Sequence, residues 1–198
     1  MMISVQTVFA VISTVLAVVS GPSYVSDILK GRAKPQRATF LIFTLLSAIA
    51  FYGQLKLGAR LPLIFTGMDV LGSLAVFLLS LKYGVSGFSR ADKYAISVAT
   101  VGVIISAIAN QPTLAIVGVI MADLAAMYLT LHKTYLKPET EPYRSWIMFG
   151  FAAVFSALSS KHYTFALLLY PLYIALATFA IPFCKYLGTR RQNLALEQ

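Results

Sequence analysis

The chain is poor in charge. Asp, Glu, Lys and Arg together make up 12% of its 198 residues, where an ordinary soluble domain carries about 25%. A lone cysteine, Cys184, excludes an intrachain disulfide and most thiolate metal sites. The two histidines, His132 and His162, fall at opposite ends of the expected helices, so no shared metal site is expected. G-x-S-x-G, P-loop, H-E-x-x-H and G-x-G-x-x-G patterns are all missing, so the chain does not read as an enzyme and calls for no cofactor. A retinal protein needs a lysine deep in its last helix, and here Lys185 stands at that helix's end.

What the chain has in quantity is apolar length. It is 59% hydrophobic, with a mean hydropathy of +0.79. Windows of about 20 apolar residues, enough to span ~30 Å of hydrocarbon, occur seven times: residues 3–20, 38–57, 61–81, 94–110, 113–132, 143–160 and 163–184. The expected class is therefore an all-α, multi-pass membrane protein, with the lipid bilayer as its first partner. Self-association is left open. The first window lacks the basic lead-in of a signal peptide and is expected to be retained as a helix.

The net charge of +9 does not indicate nucleic acid, because its distribution alternates with the loops. Thirteen Lys and Arg fall on one side, in the groups around Lys30, Lys82, Lys133 and Lys185; three, Lys56, Arg60 and Lys161, fall on the other. That bias predicts an N-terminus outside and a C-terminus in the cytoplasm. The basic loops then lie against anionic lipid.

An internal echo organises the helices. Leu29-Lys30, Pro35 and Arg37 recur 107 residues later as Leu136-Lys137, Pro142 and Arg144. Lys82-Tyr83 recurs as Lys185-Tyr186, at a spacing of 103. Three helices are an odd number, so two like-oriented copies need one helix between them. The layout expected is 3+1+3: residues 1–84 as a first trio, 85–111 as a linker with the fourth helix, and 112–198 as a second trio with a basic tail. The stretch Pro22 to Phe40 reads as a hinge, with the first helix ending near Pro22. Pro22, Pro35, Pro142 and Pro171 are the expected flex points.

With its basic segment Lys30-Gly31-Arg32 after Pro22-Ser23, this plan resembles the SWEET sugar transporters, the PQ-loop transporters and bacterial vitamin transporters of 3+1+3 layout. It also looks like small bacterial membrane proteins of that layout, through phrases such as D-I-L-K-G-x-x-K-P, S-L-K-Y-G and K-P-E-T-E-P. The resemblance implies transport by alternating access and residence in a bacterial inner (plasma) membrane. The paired Trp and Asn that grip sugars in SWEETs have no counterpart, since the one tryptophan is Trp146, so sugar is not the implied solute.

Two acids stand inside helices. Asp123 lies ~15 Å into its span and Asp69 ~12 Å, counting 1.5 Å per residue. A charged acid at mid-bilayer costs ~2.5–3.5 kcal/mol even on the lenient insertion scale, so both should face protein or water. Asp69 shares a helical stripe with Thr66, Gly72, Ser73 and Ser80. Asp123 has Ile116, Val119, Ile120, Ala126, Met127 and Thr130 beside it, a mostly apolar face. Thr44, Ser47 and Gln54 form a stripe on the second helix, Gly102, Ser106 and Asn110 on the fourth, and Ala152, Ser156, Ser159 and Ser160 on the sixth. Such stripes more often serve close helix packing than ligand binding. Tyr163, Tyr170 and Tyr173 share one side of the last helix, with Pro171 between the last two.

The function expected is transport or facilitation of a small polar solute, with proton linkage open. Asp69 and Asp123 are the leading binding candidates, joined by Thr66, Ser73, Thr44, Ser47, Asn110, Tyr170 and Tyr173. Acids facing phenols suit a polar or cationic solute better than an anion, and two close carboxylates would share one proton. The alternative is a sensor or partner-binding subunit with a packed interior, in which each acid merely hydrogen-bonds a neighbouring helix.

Overall fold

The computed structural model describes residues 4–85, 90–108 and 111–196, and within them the chain is helical without a β-strand. The elements are α1 (Val5–Leu29), α2 (Arg37–Lys56), α3 (Pro62–Tyr83), α4 (Arg90–Ile108), α5 (Pro112–Leu136), α6 (Tyr143–Leu158) and α7 (Phe165–Leu196). A short 3₁₀ turn, Pro138–Thr140, precedes α6. Five of these helices, α1, α2, α3, α5 and α7, are long and apolar enough to cross a membrane. The seven-span expectation is thus met in full by five. The remaining two are α6, which is apolar but only 16 residues long, and α4, which opens on Arg90, Asp92 and Lys93.

The distribution of side chains supports membrane integration more directly than helix length does. Large apolar residues point outward, among them Val11, Leu71, Ile104 and Leu176. Small and hydroxylated residues point inward: Ala17, Ala50, Ala122, Ala126, Ala152 and Ala153, with Ser13, Ser47, Thr66, Ser80 and Thr130. A water-soluble bundle does the reverse. In hydrocarbon, apolar surface gains nothing by leaving the solvent, so helices associate through close contact of small residues and interhelical hydrogen bonds. Ser13 donates to the Ala152 carbonyl at 2.7 Å and Ser20 to that of Ser145 at 2.9 Å, joining α1 to α6 by this means.

The packing has a regular neighbour scheme. Helix α3 packs against both α1 and α2, and α7 against both α5 and α6. Across the centre α1 meets α6 and α2 meets α5, while α4 lies mainly on α5. Helices α1 and α5 stop at Leu29 and Leu136, the same two residues that open the sequence echo. Backbone proximity is close where α7 crosses the end of α5: a methyl group on Gly188 would sit 2.5 Å from the Tyr135 carbonyl oxygen.

Pro22 does not end the first helix, contrary to expectation. It lies inside α1, which continues to Leu29 and buries Tyr24, Asp27 and Ile28 in its last turns. A proline in a helix interior costs ~3 kcal/mol in lost hydrogen bonding and steric conflict. Here tertiary packing outweighs that cost, as it commonly does in bundles where neighbours satisfy the freed groups. The stop comes at Gly31, whose φ of 71° is the left-handed conformation that glycine tolerates; Gly31 N–H donates to the Ile28 carbonyl and Arg32 N–H to that of Asp27. The hinge therefore contracts to residues 30–36. Pro171 and Pro182 also lie within a helix, and α7 runs twelve residues beyond its expected end. Pro35 sits in the α1–α2 loop, and Pro142 is the N-cap of α6.

The loops at the α1–α2 end are tied together. Arg37, at the start of α2, donates to the Ser80 and Leu81 carbonyls at 2.9 and 2.8 Å, satisfying the otherwise open C-terminus of α3. Val85 N–H donates to the Pro35 carbonyl, and Lys34 N–H to that of Thr140.

Candidate functional site

A cavity of about 100 Å³ lies where α1, α2, α3, α5, α6 and α7 converge. At ~30 Å³ per liquid water it has room for roughly three waters, well below the ~300 Å³ at which drug-sized pockets begin. Its charged wall residues are Asp69 from α3 and Asp123 from α5; no lysine or arginine lines it. The two mid-helix acids, 54 positions apart in the chain, thus open on one space.

Each carboxyl is held by one phenol from α7. Tyr170 donates to Asp69 Oδ2 at 3.0 Å, and Tyr173 to Asp123 Oδ2 at 2.6 Å. Tyr170 itself lines the cavity, whereas Tyr173 reaches Asp123 from outside the lining. The Oδ1 atom of each acid has no hydrogen bond to protein among the described residues, which leaves one oxygen of each for a guest. Asp123 is 4% exposed and Asp69 is half-buried. The stripes read from sequence do face inward: Thr66, Ser73 and Ser80 beside Asp69, and Ile116, Val119, Ala126, Met127 and Thr130 beside Asp123, are all buried.

The remaining candidates divide. Ser73 lines the cavity, and its hydroxyl donates to the Val70 carbonyl. Ser47 stands behind it, 3.4 Å from Ser73 Oγ. Thr44 and Thr66 do not line the space: Thr44 donates to the Phe40 carbonyl, and Thr66 to Gln54 Oε1 at 2.6 Å. Asn110 lies outside the described residues. Pro22 and Pro171 fall next to the lining positions Gly21 and Tyr170.

Sequence reasoning missed most of the wall and the closure at one end. Tyr24, Phe40, Phe43, Trp146 and Phe149 supply the aromatic part of the wall. Tyr24 packs edge-on to Trp146 at 5.7 Å, and Phe40 against Tyr24 and Phe43 at 5.7 and 5.6 Å. Behind that wall is Glu141, which its loop position marks only as one of the acids at the cytoplasmic side of the expected topology. It is 1% exposed. Its Oε2 accepts from Tyr24 Oη at 2.9 Å and from Trp146 Nε1 at 3.0 Å. Its Oε1 pairs with Lys133, and its backbone carbonyl accepts from Lys185 Nζ at 2.6 Å. The Glu141 carboxylate thereby ties α1, α5 and α6 at the end of the cavity, and its backbone carbonyl adds α7. A legible signal was present in K-P-E-T-E-P: acids flanked by prolines, shortly before an aromatic and shortly after a lysine.

Ser145 also lines the cavity, and its buried hydroxyl has no partner among the described residues. Among those residues no group of three or more His, Cys, Asp or Glu side chains is placed to hold a metal. The chain matches no protein-family model, no curated protein and no solved structure.

Proposed function

We propose that this membrane protein is a transporter or facilitator of a small polar solute. Its helices form two like-oriented trios, α1–α3 and α5–α7, joined by α4, with the N-terminus outside and the C-terminus in the cytoplasm. The neighbour scheme supports this plan, since exchanging α1, α2 and α3 for α5, α6 and α7 carries the α1–α3, α2–α3 and α1–α6 contacts onto α5–α7, α6–α7 and α2–α5. The 3+1+3 likeness to SWEET and PQ-loop transporters belongs to the same proposal, as does residence in a bacterial inner membrane.

One observation carries the reading. An acid from each trio opens on a single cavity between the trios, with an oxygen left over on each. If these acids only braced the bundle, each carboxyl would be fully engaged by protein and the centre would be filled. The site is closed at the α1–α2 end by Glu141 and the aromatic layer it anchors, which makes that layer the gate of an alternating-access cycle. Pro22 and Pro171, each lacking the backbone N–H that would join its helix ladder, are the points at which α1 and α7 bend during the cycle.

The test is flux in proteoliposomes, comparing the wild type with Asp69→Asn. This change keeps the side-chain volume and an acceptor for Tyr170 but removes the charge. Uptake should fall by about tenfold or more, the equivalent of one charge-assisted hydrogen bond. Unchanged uptake would remove the role given to Asp69.

A further inference from the structure

We infer that the cavity takes a small organic cation, a short primary amine, whose ammonium group sits between Asp69 and Asp123 and whose apolar body rests on the aromatic wall. This deepens the transport reading and rests on the same cavity.

Charge supplies the first part of the argument. Two acids and no base line the space. The nearest closure, Glu141, is already matched by Lys133 and two neutral donors, so it leaves no positive charge facing inward. An anion would meet two carboxyls with nothing to offset them. A neutral solute offers the acids no counter-charge and suits them only in their protonated form, whereas a cation pairs with them ionised.

Hydrogen-bond capacity narrows the class further. The free Oδ1 atoms of Asp69 and Asp123 are acceptors when ionised, and an ammonium group offers three donors to them. The wall hydroxyls are already committed as donors, Ser20 to the Ser145 carbonyl, Ser73 to Val70 and Thr178 to Ile174. Ser145 Oγ is the exception, a buried hydroxyl still without a partner on the same wall.

The wall also argues against a bare metal ion. Calcium takes six to eight oxygen ligands, and magnesium requires near-octahedral geometry. This surface offers two carboxyls amid rings and methionines. Aromatic faces instead attract organic cations, through the negative potential at the ring centre. Tyr24, Trp146, Phe40 and Phe149 line the same cavity as the acids. A volume of about 100 Å³ limits the guest to a few non-hydrogen atoms.

Trp146 makes the test direct, because it is the only tryptophan in the chain and lines the site. Purified protein is titrated with propylamine, propanol and propionate, three solutes of similar size and different charge, at constant ionic strength. Saturable change in Trp146 emission with propylamine alone is expected. In Asp69→Asn and Asp123→Asn the apparent affinity should fall by about tenfold or more. Equal responses to propanol or propionate, no response to the amine, or an amine response untouched in both variants would each overturn the inference. The comparison of three solutes uses the wild type, so it stands even if a variant fails to fold. Saturable amine binding without amine flux in proteoliposomes would remove transport and leave the amine site. Flux of a neutral or anionic solute without amine binding would do the opposite.

Discussion

Removing the Glu141 side chain is the perturbation whose magnitude the structure constrains best. Glu141→Ala deletes the partner of Lys133 and the acceptor shared by Tyr24 Oη and Trp146 Nε1. Breaking a buried ion pair from one side costs about 3–5 kcal/mol. The lower half of that range applies, because Lys133 keeps 13% of its side-chain surface open and still donates to the Lys34 carbonyl at 2.8 Å. Each orphaned buried donor adds ~1–3 kcal/mol in isolation. Groups in one network do not add independently, and a water entering the vacated space would recover part of the loss. The expected total is about 3–5 kcal/mol. By the usual scaling of about 2–4 °C per kcal/mol for a chain of this size, Tm should drop by roughly 6–20 °C.

Thermal unfolding in detergent, followed by Trp146 emission, reads this loss. The same signal reports the broken indole hydrogen bond before unfolding begins. Glu141→Gln retains an oxygen for Tyr24 and Trp146 while losing the ion pair, so it should fall between Ala and wild type. Pairing Glu141→Ala with Lys133→Met should reveal a coupling of ~1–3 kcal/mol. A Glu141→Ala protein within about 1 kcal/mol of wild type, with unchanged emission, would refute the reasoning. Glu141 would then be an incidental loop acid and not the anchor of the closing layer.

Other outcomes are open to measurement. Tyr170→Phe, which leaves Asp69 without a protein partner, should destabilise by about 1–2 kcal/mol in the same unfolding assay. In a Cys184→Ala background, a cysteine replacing Gly72, which lines the cavity and has no atom within 4 Å of a built Cβ, should react with a small water-soluble thiol reagent. A cysteine replacing Thr66, buried against Gln54, should not, and equal labelling of the two would count against the wet cavity. Gly188→Ala drives a methyl into the Tyr135 carbonyl, so it should cost about 1–3 kcal/mol by overpacking. A periplasmic reporter enzyme fused after Lys161 should be active and one fused after Arg191 silent; the reverse would invert the proposed orientation.

Membrane integration, helix content and the two mid-span acids were legible in the chain because each follows from local composition. An apolar run of given length needs no partner to declare itself, and an acid at mid-depth is costly whatever surrounds it. Depth along a helix is also a local quantity, which is why Asp69 and Asp123 were placed at similar levels before any packing was known. The first residues of the echo, Leu29 and Leu136, coincide with the ends of α1 and α5, a coincidence that the expected stop near Pro22 passed over. Pro22 misled for the same reason: its intrinsic preference is local, and the packing that overrides it is not.

What tertiary structure alone decided was which faces meet. Periodicity gave Asp123 a mostly apolar stripe and Asp69 a polar one, yet both open on the same cavity, because α2 packs against both α3 and α5 and two phenols of α7 reach the two acids. The loop position of Glu141 says nothing of its surroundings, whereas its burial depends on Tyr24, Lys133, Trp146 and Lys185 arriving from four helices. Composition decides the solvent a chain must face; only long-range contact decides which polar groups share a space, since that depends on distances no single segment contains.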